Sequence, residues 1–384
     1  MRAARRWGVC LGVVLLVSAG CSGGGTEPAA TPPEPPRPAA WVTEYSSPVA
    51  SSAMNYLAVA KDAVWALGQE TPAGSEVDKA VLLRLTDGKW VPAEPPREYA
   101  GARDLANVSL AASPESPFVW LFAKVADRPR AWRWDGSQWQ TAPAGFSPVQ
   151  VLALGPDDIW AIDSVGQVVR HWDGLQWKGQ TVQAVELSAV APDSIWAAGY
   201  LPGKTGLSEP ALWHFDGQTW QRTPTPSYDF PDQPRGNESA TLDSVVPVAP
   251  DRAWAFGLHH IFTDPGADRE DEKIVLQWDG SRWTKASQTL YSWPAGPDGA
   301  GGIILPEAGL HHPKDGADRV IQAPPLLPGE SGKVSAADKA QKLTAREVVW
   351  DPVRKTTWVV GYIGTENSTA FSRGVLLRFD PGHV

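Results

Sequence analysis

The sequence predicts an all-β protein, a β-propeller of four-stranded antiparallel blades. Three observations carry this. A string of four short strands recurs six times, tryptophan stands at 20 positions, and glycine and proline number 36 each among 384 residues. Self-similarity at a period of roughly 20 to 50 residues marks stacked copies of one supersecondary unit. Many short strands with frequent turns fit a propeller better than a helical fold.

The first halves of the copies read LAVAKDAVWALG (57–68), VSLAASPESPFVWLFA (108–123), VLALGPDDIWAID (151–163), LSAVAPDSIWAAG (187–199), DSVVPVAPDRAWAFG (243–257) and VVWDPVRKTTWVVG (348–361). The second halves end at Trp90, Trp139, Trp177, Trp220 and Trp283, as in LWHFDGQTW, while LLRFDPG (376–382) closes the last copy without a Trp. Six blades is the count these copies support. A seventh would have to come from residues 285–343, whose short apolar patches Ile303 to Leu305 and Val320 to Ile321 would make a degenerate blade. The Gly and Pro content there favours an insertion crossing the ring instead.

At the N-terminus Arg2, Arg5 and Arg6 precede an apolar run from Trp7 to about Ala19, the pattern of a secretory signal. LVSAGC, ending at Cys21, looks like a bacterial lipoprotein signal, with Ser18 where a bulky apolar residue is commoner. Residues 1–20 then form the signal peptide and Cys21 the acylated first residue, the chain's link to a lipid bilayer. An ordinary signal peptide with Cys21 incidental is the alternative reading. Residues 21–40 have almost no apolar side chains to bury, so they read as a Gly- and Pro-rich tether. The expected location is extracytoplasmic, at the outer membrane if the host has two.

Residues 41–384 are expected to form one propeller domain. Trp41, in AWVTEYSS, resembles the Trp strand that the last copy lacks, so the N-terminal strand is expected to close the ring and remove both open edges. Pro-Asp and Asp-Gly pairs suit tight turns. These turns fall at one end of each blade, and the variable second turns and blade links at the other. Binding residues are expected among the variable segments.

Trp65, Trp120, Trp160, Trp196, Trp254 and Trp358 share one place in the second strand, where each indole can fill the wedge between blades. Such burial is worth about 2 to 3 kcal/mol. The series ending each copy is expected to pack between outer strands rather than stack on a ligand. Asp157, Asp193 and Asp251, with Asp135, Asp173, Asp216 and Asp279, are spread one per turn, and capping of backbone N–H groups is their expected task.

No HExxH, GxSxG, P-loop or dinucleotide motif is present, and neither cofactor nor catalytic residue is assigned. The formal charge of −9 becomes more negative when the three signal-peptide Arg are removed, which argues against nucleic-acid binding. The residues singled out as ligand-face candidates are Tyr228, His259, His260, Tyr291, Trp293, His311 and His312. His259-His260 and His311-His312, with the acids of 264–272, are weighed as a divalent-metal site and read instead as solvated surface.

The APDxxWAxG and WDGxxW strings resemble bacterial secreted or lipoprotein β-propellers with Trp-rich repeats, distantly similar to kelch and WD propellers. Trp134 to Trp139 lacks the leading Ser-x-Asp of the sialidase Asp box. The resemblance implies a surface or periplasmic protein. The expectation is a non-enzymatic, membrane-tethered propeller that binds an envelope or extracellular protein or glycan through its variable face. A structural or assembly scaffold of the envelope is the alternative, and a hydrolase or lyase the less favoured one.

Overall fold

In the computed structural model, the described residues are 37–384 without 103–104, 203–207, 227–238, 263–268, 329–333, 335, 366–371 and 383–384. Residues 1–20, read above as a signal peptide, Cys21, most of the segment read as a tether, and Tyr228 lie outside the described residues. Seven four-stranded antiparallel sheets follow one another. Blade one comprises Ser52–Val59, Val64–Glu70, Lys79–Thr86 and Lys89–Ala93. Blade two comprises Leu105–Ala112, Val119–Val125, Arg128–Trp134 and Trp139–Ala142. Blade three is Pro148–Ala153, Ile159–Asp163, Val168–Trp172 and Trp177–Gln183, and blade four Glu186–Ala191, Ser194–Pro202, Ser208–Phe215 and Trp220–Thr223. Blade five is Ser239–Ala249, Arg252–Phe262, Arg269–Trp278 and Trp283–Lys285. Each blade's first strand contacts the first strands of both its neighbours, so these seven strands form a closed inner ring.

The six-blade expectation is therefore corrected to seven. Blade six is built from Gly296–Pro297, Ile303–Leu305, Leu310–His312 and Arg319–Val320, inside the stretch read as an excursion. Its strands hold no Trp, yet they obey the two-residue alternation of any buried strand. Ile303 and Leu305 pack with Trp254 and Phe256 of blade five, whereas Ile304 packs with Trp41 and Phe379 on the other side. The glycines that suggested a loop serve close approach. A Cβ on Gly299 would stand 2.2 Å from the Trp350 ring, and its φ of +74° is left-handed.

Blade seven is Lys342–Asp351, Thr356–Gly364 and Ser372–Asp380, completed by the N-terminal strand Ala40–Ser46. Trp41 faces Phe379 there, as Trp139 faces Trp134 and Trp220 faces Phe215 in their own blades. The Trp41 strand thus closes the ring as expected. Before it, Ala39 is already buried, and its carbonyl accepts the Gln322 N–H at 2.8 Å.

The second-strand Trp side chains are all 3 % exposed or less. Each wedges against the next blade, Trp65 against Trp139, Trp196 against Trp283 and Trp358 against Trp90, with ring centroids 5.9, 5.2 and 5.6 Å apart. Edge-on pairs of this kind add to the area burial. The outer Trp series is structural as well. The Trp139 and Trp177 indoles donate to the Glu94 and Pro143 carbonyls, and Trp283 donates to Thr223 Oγ1.

Asp135, Asp173, Asp216 and Asp279 each accept two backbone N–H groups from their own hairpin, as expected of turn caps. The other Asp series does something different. The Asp157, Asp193 and Asp251 side chains lie beneath Gly174, Gly217 and Gly280 of the facing hairpin, where a Cβ on each glycine would stand 3.0, 3.0 and 3.1 Å away.

Candidate functional rim and cleft

The topology gathers the long connections at one end of the ring. First-to-second and third-to-fourth strand turns are short throughout the described residues. The second-to-third turns and the blade links, such as 71–78, 94–102, 286–295 and 321–328, occupy the opposite rim.

A repeated backbone device positions side chains near that rim. Gly68, Gly257 and Gly361 stand three residues after the buried Trp of blades one, five and seven. A Cβ there would lie 2.2, 1.9 and 2.1 Å from the Ala53, Thr241 and Thr344 carbonyl oxygens. The inner strand bulges opposite each, and the register shifts between Met54 and Tyr56, Leu242 and Ser244, and Ala345 and Glu347. The extra residues are Asn55, Asp243 and Arg346. Bulges re-aim side chains in this way. Blade two bulges between Ala106 and Ser109, with Asn107 at φ 47°.

Asn55 and Asn107 meet at a cleft of about 360 Å³ between blades one and two. Leu67 and Val108 give it apolar surface, and Tyr56, Gln69 and Tyr99 line its sides. Tyr99, on the helical turn Arg97–Ala100, is 4 % exposed and packs edge-on to Trp132. Burial pushes its phenol well above the usual range, and Tyr56 adds to the shift. Among the described residues, the Tyr56 and Tyr99 hydroxyls and the Asn55 and Gln69 amides have no hydrogen-bond partner, whereas Asn107 Nδ2 donates to Ser147 Oγ at 3.2 Å.

Two acids of the inner ring, Glu186 and Glu347, stand at equivalent places in blades four and seven. The Ser244 hydroxyl donates to Glu186, and Glu347 Oε2 accepts the Leu57 N–H at 2.6 Å. Part of each residue remains accessible, yet the surrounding walls desolvate the carboxyls. Burial pushes both up to about 8, and Glu347 and Asp243 add repulsion at Glu186. Gln150 occupies the same place in blade three and brackets Leu187 with both amide atoms. The position therefore serves to join neighbouring blades. Its signal in the sequence was the polar residue directly before each first-strand apolar run.

The ligand-face candidates separate. His259 and His260 lie on the extended hairpin of blade five, where each pairs with its directly opposite acid, Glu272 at 3.3 Å and Asp271 at 2.7 Å. The stretch read as a loop thus continues as strand to Phe262 and resumes at Arg269. Tyr291 stands beside Phe256 with the Lys273 ammonium 5.1 Å from its ring, and burial pushes its phenol up to about 12, with Asp243, Glu307 and Asp271 contributing. Trp293 is 53 % exposed on the blade link of the variable rim.

His311 and His312 belong elsewhere. His311 is 5 % exposed, and its Nε2 pairs with Asp298 at 2.8 Å. Burial works to raise the Asp298 carboxyl, but hydrogen bonds from His311, Ala300 and Gly302 outweigh it and hold the group below its ordinary value. His312 pairs with Asp318 and meets Trp254 edge-on, at the short-turn end of that strand. His259 and His260 are five and six residues further along the same strand, about 16 to 20 Å away at the usual rise. The two His pairs do not converge, and among the described residues no three His, Cys, Asp or Glu side chains form a group able to hold a metal.

No protein-family model matches the sequence, and no curated protein matches it. Solved structures similar in fold include the β-propeller domain of the trilobed protease of Pyrococcus furiosus, at 8 % identity and a TM-score of 0.48, covering 86 % of this chain and 95 % of that one. The extracellular domain of a putative one-component system of B. thetaiotaomicron gives 11 % identity and a TM-score of 0.48, covering 88 % of this chain and 39 % of that one. A Trypanosoma rangeli sialidase gives 8 % and 0.37, covering 86 % and 54 %.

Proposed function

We propose that this propeller is a non-enzymatic, membrane-tethered binding protein whose variable rim docks an envelope or extracellular protein or glycan. The tether half of the reading rests on the sequence. Arg2, Arg5 and Arg6, the apolar run and LVSAGC support acylation at Cys21 and an extracytoplasmic location, at the outer membrane where the host has two.

The observation that carries the docking half is the segregation of long links, polar bulge residues and the cleft onto one rim. Exposed apolar side chains collect there too, among them Val77, Val165, Tyr200, Trp293, Leu326 and Val334, while Leu175 and Val353 stand on the opposite face. A rigid ring with its variation on one side is a scaffold for recognition.

Affinity purification of the full chain from crosslinked cells tests this. A Tyr200→Ala/Trp293→Ala variant should lose most of the co-purifying envelope component, and Leu175→Ala should retain it. Equal recovery with both variants contradicts the assignment.

A further inference from the structure

We propose that the cleft between blades one and two holds one neutral sugar unit of a glycan. This deepens the rim-docking reading and rests on it.

The cleft is a built site. Two bulges in adjacent inner strands deliver Asn55 and Asn107 to it, and Asn107 takes the left-handed conformation that a non-glycine residue adopts at a cost. Tyr99 is 4 % exposed and lines the cavity, and its hydroxyl has no hydrogen-bond partner among the described residues. The ring is buried, but the hydroxyl is not one of the enclosed unpartnered atoms, so it opens on the cleft, where a ligand or water can pair with it.

The chemistry of the lining selects the ligand. Amides and phenols both donate and accept, which matches the hydroxyl groups of a polyol. Among the described residues the lining contains no Lys, Arg or His, so they offer an anionic sugar or a phosphate no counter-charge. Asp78 is the one carboxylate among the described lining residues, exposed at the edge and hydrogen-bonded by Thr71. A purely apolar ligand would strand the polar groups of Asn55 and Tyr99. The volume, about 360 Å³, lies near the lower end of small-ligand pockets, roughly 300 to 1,000 Å³, as suits a single sugar unit with its waters.

Titration calorimetry of the full chain with glucose, galactose, mannose and N-acetylglucosamine tests the proposal. N-acetylneuraminic acid, glucosamine and glucose 6-phosphate serve as charged comparators. At least one neutral sugar should bind at millimolar concentration or below and outcompete the charged set. Tyr99→Phe and Asn55→Ala should each weaken it about 3- to 10-fold, the loss of one neutral hydrogen bond. Gln69→Ala, at an exposed position that leaves the core intact, should weaken it similarly.

The inference is overturned if no neutral sugar binds, if only charged sugars bind, or if these variants leave affinity unchanged while keeping the wild-type near-ultraviolet dichroism. The Tyr200→Ala/Trp293→Ala purification then separates the two claims. Retained dependence on those rim residues leaves docking standing and removes the sugar, whereas loss of both results removes docking as well.

Discussion

Trp41 packs edge-on against Phe379 across the sheet that joins the two ends of the fold, with ring centroids 5.8 Å apart at 63°. The contact is the counterpart of the Trp283–Trp278 and Trp177–Trp172 pairs, at 5.6 and 5.7 Å. In blade seven, however, its partners are separated by nearly the whole chain. Ring closure therefore depends on a long-range strand pairing whose loss would leave an open edge.

Trp41→Ala should destabilise the propeller by about 3 to 5 kcal/mol, as deletion of a buried Trp does. Trp196→Ala should cost a similar amount, because Trp196 is 1 % exposed. Leu175→Ala, at 85 % exposure, should fall within about 0.5 kcal/mol of wild type. Urea denaturation followed by Trp fluorescence measures all three. A near-neutral Trp41→Ala would contradict closure by the N-terminal strand.

Blade six makes a separate commitment at Gly299. A methyl group there meets the Trp350 ring, and the φ of +74° is unfavourable for Ala. Gly299→Ala should therefore destabilise by about 2 kcal/mol or more. Adding Trp350→Ala should give a non-additive double mutant, since one side chain relieves the clash with the other. Additive losses would place Trp350 away from this turn.

The acids of the inner ring set a pH dependence. Glu186 and Glu347 titrate at about 8 when folded against an ordinary 4.5. The folded state therefore binds more protons than the unfolded state between those values, and stability declines as pH rises through that window. Melting temperature should fall from pH 5 to pH 8, an interval inside the window set by these two groups. Glu186→Gln/Glu347→Gln should flatten the decline. An unchanged slope in the double variant would contradict the desolvation of these carboxyls.

Acylation is tested directly at Cys21. Metabolic labelling with a palmitate analogue should mark the wild-type chain and not Cys21→Ala, which should leave the membrane fraction. Membrane retention of an unlabelled Cys21→Ala chain would contradict a lipid anchor at that residue.

The sequence made six blades and the closing strand legible because the buried Trp, the hairpin Asp-Gly and the outer Trp recur at fixed offsets. Blade six keeps an Asp-Gly pair, Asp315-Gly316, in its third-to-fourth turn but lacks both Trp. Ile303 stands opposite His312, where the other blades place Trp opposite Arg, His or Gln, and two of its four strands are two residues long. Its core position is set by contact with neighbouring blades, which local pattern does not encode.

The site was less legible than the fold. His259-His260 and His311-His312 looked alike in sequence, but one pair lies on a long hairpin and the other near the short turns, each engaged by local acids. Asn55, Tyr99 and Asn107 carried no recognisable motif. The available clue, for Asn55 alone, was the Gly three residues after the buried Trp of blades one, five and seven, which marks a bulge in the strand beside it and so an extra side chain near the rim.

The central claim is that the uneven rim is the recognition surface, and in-cell photo-crosslinking tests it most directly. A photoreactive residue is placed in turn at Tyr200 and Trp293 on that rim and at Leu175 and Val353 on the opposite face. Crosslinks to an envelope protein or glycan confined to Tyr200 and Trp293 are the expected result. Crosslinks confined to Leu175 and Val353, or equal at all four positions, would contradict the claim.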